Sequence, residues 1–442
     1  MSKQSQWKTS TGFILASAGS AIGLGAMWKF PYMAGMYGGG AFLLMFLIFT
    51  ILVGLPLLVM EFTIGKLGRT YTTEIYGKLT GKKWLNLIGW NGNLAVFVLF
   101  GFYSVIGGWI IIYIGIVLLQ LLQILPSSLR DIQFESIISN PIYTLLGQFI
   151  FIGLTCIIVM LGVEKGLEKA SKLMMPLLFI FLLIIVIKAL SLDGAMEGVR
   201  YLLQPRVEDI TMESMLFALG QSFFALSLGT TGMITYASYA PKAMTIKTSA
   251  VTIVLMNIFI SVLAGLAIFP ALKTFGYKPE EGPGLLFKVL PLVFESMHLG
   301  ILFYLVFLIL FLFAALTSSI SLLELNVSNF TRNDNQKRRP VALIVSISVF
   351  VISIPAMLSF GTLSHVTFGA GTIFDNMDFL VSNLLMPLGA LATTLVVGYL
   401  IDFNALKEGF GPDRFRLIYP WYFLIKFVLP FVILAVFILQ LI

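Results

Sequence analysis

Long apolar runs alternate with short polar ones along the whole chain. Eleven runs reach the length of about 20 residues that a helix needs to cross the hydrocarbon core of a bilayer. They lie near residues 12–35, 41–66, 86–122, 143–162, 167–190, 214–239, 248–274, 298–329, 340–361, 374–401 and 418–441. The pattern predicts an all-α membrane protein with eleven transmembrane helices.

Two of these runs are interrupted near the middle. Gly23 and Gly25 weaken the first run, and the stretch from Ser227 to Gly232 opens the sixth. Non-helical backbone at this depth persists only where protein or a polar cavity surrounds it. The ends of a broken helix offer carbonyls to a cation and amides to a carboxylate. Paired breaks are typical of the binding site of a secondary transporter, and close packing of small residues between helices is the alternative interpretation.

Composition and charge narrow the class of protein. The chain is 58% hydrophobic and 11% charged, whereas soluble domains carry about 25% charged residues. The net charge of +7 comes from basic residues in short loops, which is the distribution of cytoplasmic loops and predicts no nucleic-acid partner. The position of these basic loops along the chain places the N-terminus in the cytoplasm and the C-terminus outside. The single cysteine and two distant histidines exclude a disulfide framework and a metal cluster, and no nucleophile with a base is visible, so we expect no enzyme.

Five motifs occur in one order across most of the chain. They are Gly23–Gly25 with Lys29–Pro31, Gly38–Phe42, Ser227–Gly229 with Thr235–Tyr239, Leu316–Ser319, and Asp375–Phe379. These motifs resemble those of the neurotransmitter:sodium symporter family, in its eleven-span, leucine-transporter-like bacterial branch.

The resemblance implies a fold and a function. The fold is one transmembrane domain, 1–442, with a 5+5 inverted repeat, discontinuous helices 1 and 6, repeats at about 12–190 and 214–401, and an extra helix at about 418–441. The function is sodium-coupled import of a neutral, hydrophobic or medium-sized amino acid by alternating access across a bacterial plasma membrane. The protein would be a monomer or homodimer in the lipid bilayer. A non-transporting amino-acid sensor on the same fold is the alternative.

The resemblance also implies a substrate site between the two breaks. The amides of Leu24 and Gly25 and the hydroxyl of Tyr103 would receive the substrate carboxylate, with Phe224 as the lid. The implied substrate-binding residues are Ala21, Leu24, Gly25, Leu99, Tyr103, Phe224, Ser227, Thr230, Ser318 and Leu322. Thr230 stands where the best-known bacterial member has a bulky aromatic residue, which favours a roomier and more polar pocket.

The family's two sodium sites fare differently in this sequence. Site 2 is intact, with the carbonyls of Gly19, Ile22 and Ala314 and the hydroxyls of Thr317 and Ser318; hydroxyls that merely bond to the preceding turn are the alternative. Site 1 loses two side-chain ligands to Ala26 and Ala225 and keeps Ala21 and Asn257. We therefore expect at least one sodium ion, with site 1 weak, relocated or empty.

A chloride site is doubtful on the same comparison. The family's ligand positions are Phe46, Gln221, Ala225, Asn257 and Ser261 here, so two of the side chains expected to bind the anion are replaced. Glu61 is the nearest acidic residue. A carboxylate within a span is functional by default, and a structural partner for the unwound backbone is the equal alternative.

Gating residues complete the implied set. Lys29 and Asp378 match the family's extracellular ion pair, although lysine lacks the bidentate fork of arginine. Gly166 and Pro176 match a motif at which the cytoplasmic part of a helix can unwind. The family's cytoplasmic ion pair maps to Gln4 and Arg332 and is therefore absent as such. A different network could draw on Trp7, Lys8, Tyr239, Glu324 and Asp334.

Overall fold

The structure is a computed structural model that describes residues 6–125, 134–241, 244–277, 285–332, 334, 336–410 and 418–439. Within those ranges the chain is helical, and the one extended pairing is an isolated bridge between Phe368 and Gly371. The predicted all-α class is confirmed. Gln4 and the glycines and proline of 282–284 lie outside the described residues.

The helices are numbered here in chain order. They are α1 Ser10–Ile22, α2 Gly25–Met36, α3 Gly40–Gly68, α4 Thr72–Thr80, α5 Lys83–Leu121, α6 Phe134–Ile138, α7 Pro141–Met160, α8 Val163–Leu190, α9 Ala195–Leu203, α10 Met212–Ala225, α11 Gly232–Ser238, α12 Ile246–Thr274, α13 285–295, α14 Gly300–Thr331, α15 Arg338–Leu358, α16 Ile373–Tyr399, α17 Phe403–Phe410 and α18 Ile418–Leu439.

Nine of the helices in the described parts of the chain are long and apolar enough to cross a membrane, and α1 with α2 forms a tenth span bent by 46°. The predicted run at 214–239 is divided between α10 and α11, with non-helical backbone from 226 to 231. Neither piece reaches the length of a span by itself. The physical reason is the run of left-handed backbone described below.

One helix organises the bundle. In the most apolar 18-residue stretch of α5, 78% is buried inside the protein, whereas in the corresponding stretch of α18 only 28% is buried. Helix α5 packs on α14 and α7, and α11 packs on α3. The centre of the bundle is therefore where both broken helices meet α5 and α14, and α18 lies at the periphery.

Proline positions explain most of the irregular turns. Among the described residues, five π-helical segments end two residues before a proline: 25–29 before Pro31, 50–54 before Pro56, 285–289 before Pro291, 380–385 before Pro387 and 424–428 before Pro430. Proline has no amide hydrogen and its ring crowds the preceding turn. The amide of the residue just before the proline donates to the carbonyl five positions back, as Phe30 does to Gly25 and Leu55 does to Thr50. The helical turn there is therefore one residue wider than an α-helical turn.

Candidate functional site

The first break lies between α1 and α2. Gly23 leaves helical geometry, with φ −46° and ψ −151°, and its carbonyl accepts from Ala26 at 3.2 Å and Met27 at 3.3 Å. A Cβ at Gly23 would lie 2.9 Å from the Tyr103 hydroxyl and 2.7 Å from the Ser318 Cβ, so only glycine fits. The Leu24 amide donates to the Tyr103 hydroxyl at 3.3 Å. The Leu24 amide, just before α2, is thus held by Tyr103.

The second break is held in strained backbone. Ser227, Gly229 and Thr231 have φ values of 53°, 78° and 61°, a region that non-glycine residues enter at a cost, above all β-branched ones. The Gly229 amide donates to the Glu61 carboxylate at 2.8 Å. The Ser227 hydroxyl donates to the Ser20 carbonyl at 3.0 Å. Glu61 therefore binds unwound backbone, and Ser227 ties the two breaks together.

A small cavity of about 30 Å³ lies between the breaks. All ten residues predicted for the substrate site line it, and so do four others that sequence reasoning missed: Ser20, Gly23, Ser321 and Met386. The space admits one or two water molecules. None of the described residues that line it is charged. The cavity is thus small and lined by neutral residues, with the start of α2 on one side.

The predicted residues of sodium site 2 lie beside this cavity. The Ser318 hydroxyl donates to the carbonyls of Gly19 and Ser20, both at 3.2 Å, and the Thr317 hydroxyl donates to Ala314 at 3.0 Å. Ile22 ends α1 at the same place, fully buried. These neutral oxygens are ligands that suit an alkali cation, because the hydroxyl groups can rotate and turn their lone pairs toward the ion.

The predicted residues of sodium site 1 are arranged differently. Asn257 donates its side-chain amide to the carbonyls of Ala21 at 3.2 Å and Ala225 at 2.8 Å. Ala26 and Ala225 are fully buried and bring no side-chain oxygen. The Asn257 side-chain oxygen is buried without a hydrogen-bond partner among the described residues, so this oxygen and the Ala21 carbonyl are what remains of the predicted ligand set, which is too few for a dehydrated cation.

The positions related to chloride binding form part of the same buried layer. Gln221 donates to the Gly25 carbonyl at 2.8 Å, and Phe46 packs on Phe30 with ring centroids 5.0 Å apart. The Ser261 hydroxyl is buried without a hydrogen-bond partner among the described residues. Phe46 and Ala225 offer nothing to an anion, so this donor set does not fit chloride either.

A second cavity, of about 530 Å³, lies toward the other side of Phe224. Lys29 and Asp378 both line it, yet the predicted ion pair between them is not formed in this conformation. The Lys29 ammonium lies 4.2 Å from the centre of the Phe224 ring, which attracts it as a cation–π partner. Asp378 accepts a hydrogen bond from Ser382 at 2.8 Å.

Two side chains separate the two cavities. Phe224 and Met386 are the residues that line both. Phe224 was predicted as a lid. Met386 was not, although the following Pro387 and its widened turn mark the place on α16 where the methionine lies.

The opposite end of the bundle is closed by a buried network. Trp7, 3% exposed, donates its amide to Tyr239 at 3.1 Å and its indole to the Tyr236 carbonyl at 2.9 Å. Tyr239 donates to Glu324 at 3.2 Å, and the Arg338 guanidinium binds both oxygens of Glu324. Sequence reasoning placed Tyr239 and Glu324 here and missed Arg338, which stands at the start of a span among other basic residues.

The remaining members of the predicted cytoplasmic set lie apart from this pair. The backbone amide of Lys8 and the hydroxyl of Thr9 donate to the Glu168 carboxylate at 2.7 and 2.8 Å. Asp334 pairs with Lys337 at 3.5 Å, and Arg332 ends α14 in left-handed backbone. Trp7 and the Arg338 ion pair therefore close this end.

Gly166 and Pro176 both lie in α8. Gly166 is in its π-helical first turns, 163–168, and a Cβ there would meet the Ile158 carbonyl. Pro176 is inside the helix, where its missing amide leaves one carbonyl without an intrahelical bond. The helix is thus weakened at two points on the way to Thr317 and Ser318.

The bundle of apolar spans, with two broken helices around an enclosed cavity, defines the class: a multi-pass membrane transporter. The Sodium:neurotransmitter symporter family matches residues 4–126 and 137–442. The chain belongs to this family.

Relatives share most of the chain's length. The "uncharacterized sodium-dependent transporter YhdH" of Bacillus subtilis is 47% identical over 439 residues, which cover 98% of this chain and 97% of that protein. The crystal structure of MhsT in complex with L-phenylalanine has a TM-score of 0.90 at 36% identity, over 98% of this chain and 99% of MhsT. The sodium-dependent neutral amino acid transporter B(0)AT2 of Bos taurus is 28% identical over 60% of this chain and 40% of its own length.

Proposed function

We propose that the protein is a sodium-coupled symporter that imports a neutral amino acid with an apolar side chain by alternating access. The observation that carries the proposal is the cavity between the two helix breaks, which all ten expected substrate residues line. The related MhsT was crystallised in complex with L-phenylalanine, and B(0)AT2 is named for neutral amino acids. Both support a zwitterionic substrate.

The chemistry of the cavity suits such a substrate. The amides of Leu24 and Gly25 and the Tyr103 hydroxyl would bind the carboxylate, in place of the bond from Leu24 to Tyr103. Because the described residues that line the cavity are all uncharged, an acidic or basic substrate would lack a counter-charge there. Leu99, Leu322 and Met386 offer apolar contacts to the side chain. Phe224 and Met386 must move before the substrate enters from the outer cavity.

One sodium ion per substrate is the coupling we propose. The ion would lie among the oxygens of Gly19, Ile22, Ala314, Thr317 and Ser318, where it would join α1 to α14. Site 1 would be empty, since Ala26 and Ala225 reduce its predicted ligand set to the oxygens of Ala21 and Asn257, and chloride would take no part. An ion that binds only when α1 and α14 are close stabilises the outward-open or occluded state by its differential affinity.

The topology that accompanies this mechanism is the eleven-span, 5+5 inverted arrangement in a bacterial plasma membrane, as a monomer or homodimer. Helices α10 and α11 together would be the sixth span, and α18 the extra one. The closed end that holds Trp7 and Arg338 would face the cytoplasm. Lys29 and Asp378 would then form the outer gate in a more closed state, with Gly166 and Pro176 opening the sodium path inward.

Binding and flux measurements test the proposal together. Purified protein is screened with the twenty standard amino acids in sodium and in potassium at equal ionic strength, and each ligand found is tested for uptake into liposomes. Sodium-dependent binding and uptake of a neutral amino acid is expected. Binding without uptake would favour the non-transporting sensor, and sodium-independent binding would contradict the coupling.

Neighbouring serines on α14 provide a matched pair of variants. Ser318→Ala removes a hydroxyl that faces Gly19 and should abolish sodium dependence. Ser319→Ala removes a hydroxyl that bonds to Thr155 at 2.8 Å instead, and it should leave the sodium affinity unchanged. Equal effects of both changes would contradict the position of the ion.

A further inference from the structure

Lys426 is a charged residue inside an apolar span. It lies eight residues after Ile418 in α18, and a lysine there is costly unless its ammonium reaches the interface or a partner. Three aromatic rings surround that ammonium, with centroids at 5.1 Å for Tyr399, 5.6 Å for Tyr422 and 5.5 Å for Phe427. No carboxylate among the described residues forms an ion pair with it. The site therefore holds a cation without neutralising its charge.

The aliphatic part of the Lys426 side chain packs against the neighbouring helix α16. A Cβ at Gly398 would lie 3.0 Å from the Cα of Lys426 and 3.3 Å from its Cβ, so glycine lets α16 and α18 approach here. The Tyr422 hydroxyl donates to the Gly398 carbonyl at 2.9 Å, and the Tyr399 hydroxyl donates to the Lys426 carbonyl at 3.0 Å. Packing and hydrogen bonds thus fix where the ammonium is presented.

A second cation adjoins the first. Lys407, on α17, lies 4.6 Å from the Phe403 ring and 5.0 Å from the Tyr419 ring, and it donates to the Tyr419 hydroxyl at 3.2 Å. Phe403 packs on Tyr422 with centroids 4.6 Å apart, which makes the two lysine sites one continuous surface. Lys407 also forms no ion pair with a carboxylate in the part of the chain that the structure describes.

We propose that this surface, formed by Lys407, Lys426, Tyr399, Tyr419 and Tyr422, binds the phosphate of an anionic phospholipid. Two fixed ammonium groups supply the charge, and the Tyr419 hydroxyl, which accepts from Lys407, keeps its own proton for a phosphate oxygen.

The position of the surface identifies the source of the phosphate. Tyr399 is 53% exposed and Tyr419 64% exposed, and they lie at the ends of α16 and α18, where tyrosines mark the level of the lipid headgroups. Exposed Phe423 and Phe427 continue along α18 toward the hydrocarbon and offer an apolar face to acyl chains. A basic residue next to an anionic membrane surface contributes about 1 kcal/mol.

Native mass spectrometry of the full chain with added phosphatidylglycerol measures the binding directly. Lys407→Gln and Lys426→Gln should each weaken it about fivefold, and the double variant about 30-fold. Lys426→Arg keeps the charge and should stay within about twofold of the unchanged protein. If Lys426→Gln does not fold, Lys407→Gln alone carries the same fivefold expectation, because its lysine lies on a short surface helix.

The matched control removes two exposed lysines elsewhere. Lys165 and Lys169 have no aromatic partner among the described residues, and changing both to glutamine should leave phosphatidylglycerol affinity unchanged. An equal loss in this control would show general attraction to charge and overturn the proposal. So would equal binding of zwitterionic phosphatidylcholine, full competition by millimolar inorganic phosphate, or loss of a dimer together with the lipid, which would make the surface a contact between two copies.

Discussion

Replacing Arg338 with methionine removes one partner of a buried ion pair. The guanidinium binds both oxygens of Glu324 and donates through Nε to the Val159 carbonyl at 2.8 Å. Arg338 is 7% exposed and Glu324 is fully buried. After the change, Glu324 retains only the hydrogen bond from Tyr239 at 3.2 Å. A carboxylate is then left charged and nearly unpartnered in an enclosed site.

The expected loss follows from that uncompensated charge. Removing one member of a buried pair destabilises a protein by about 3–5 kcal/mol, while replacing both members with apolar residues is often neutral. Arg338→Met should therefore lower stability by about 3–5 kcal/mol. The double variant with Glu324→Leu should recover most of this loss, about 2–3 kcal/mol.

Two assays separate stability from closure of this end of the bundle. Thermal unfolding reports the first. For the second, a cysteine at the buried Ala240, in a variant with Cys156→Ala, is labelled with a maleimide. If opening breaks the pair, Arg338→Met should speed labelling about 100-fold or more, and the double variant should approach the original rate. Exposed Arg339→Met is the matched control and should change neither measurement.

The reasoning fails if the double variant is as unstable as Arg338→Met. That result would assign the loss to the bond with Val159 or to packing of the arginine stem, and not to the charge of Glu324. A loss below about 1 kcal/mol in Arg338→Met would also refute it, because that is the value of an exposed pair.

Three other changes test separate parts of the structure. Met386→Ala should remove part of the partition between the cavities, enlarge the space for the substrate side chain and favour phenylalanine over alanine about tenfold in competition binding; unchanged selectivity would show that Met386 does not contact the substrate. Ala26→Asn with Ala225→Ser should raise the Hill slope for sodium from about one toward two if site 1 lacks only these ligands, and an unchanged slope would locate the defect in Asn257. The hydrogen bond from Lys288, with Nζ 2.5 Å from the carboxylate, lowers the pKa of Glu135; Glu135→Gln should therefore cost no more than about 1 kcal/mol at pH 7, since both side chains are largely exposed. That contribution is present above the unfolded pKa of about 4 and is lost as pH falls through the lower folded pKa, so a difference that persists at lower pH would contradict it.

Residues with unusual chemistry for a membrane span were predictable from the sequence. Gly23, Gly25 and the stretch around Ser227 stood out because glycine and hydroxyl residues interrupt apolar runs, and they do form the two breaks. The resemblance then supplied the partners on α5 and α14, such as Tyr103 and Ser318. Their grouping around one cavity follows from the fold.

Residues whose chemistry matches their surroundings could not be predicted in this way. Met386 is an apolar residue in an apolar span, so nothing in the sequence separates it from lipid-facing neighbours. Arg338 stands among basic residues at the start of α15, and its burial against Glu324 depends on the packing of α14 and α15. The resemblance paired Lys29 with Asp378, whereas the Lys29 ammonium lies 4.2 Å from the centre of the Phe224 ring in this conformation. Distance and burial decide these contacts, and a linear pattern contains neither.

The prolines that follow the widened turns also affect how these spans compare among relatives. A π-helical turn contains one residue more than the α-helical turn it replaces, so a related protein without Pro56 or Pro430 can restore a regular helix by deleting one residue just upstream. Side chains on both sides of the deletion would keep their orientation. Single-residue gaps inside membrane helices are therefore expected one turn before these prolines, and sequence alignments that forbid such gaps would shift half of each span by one position.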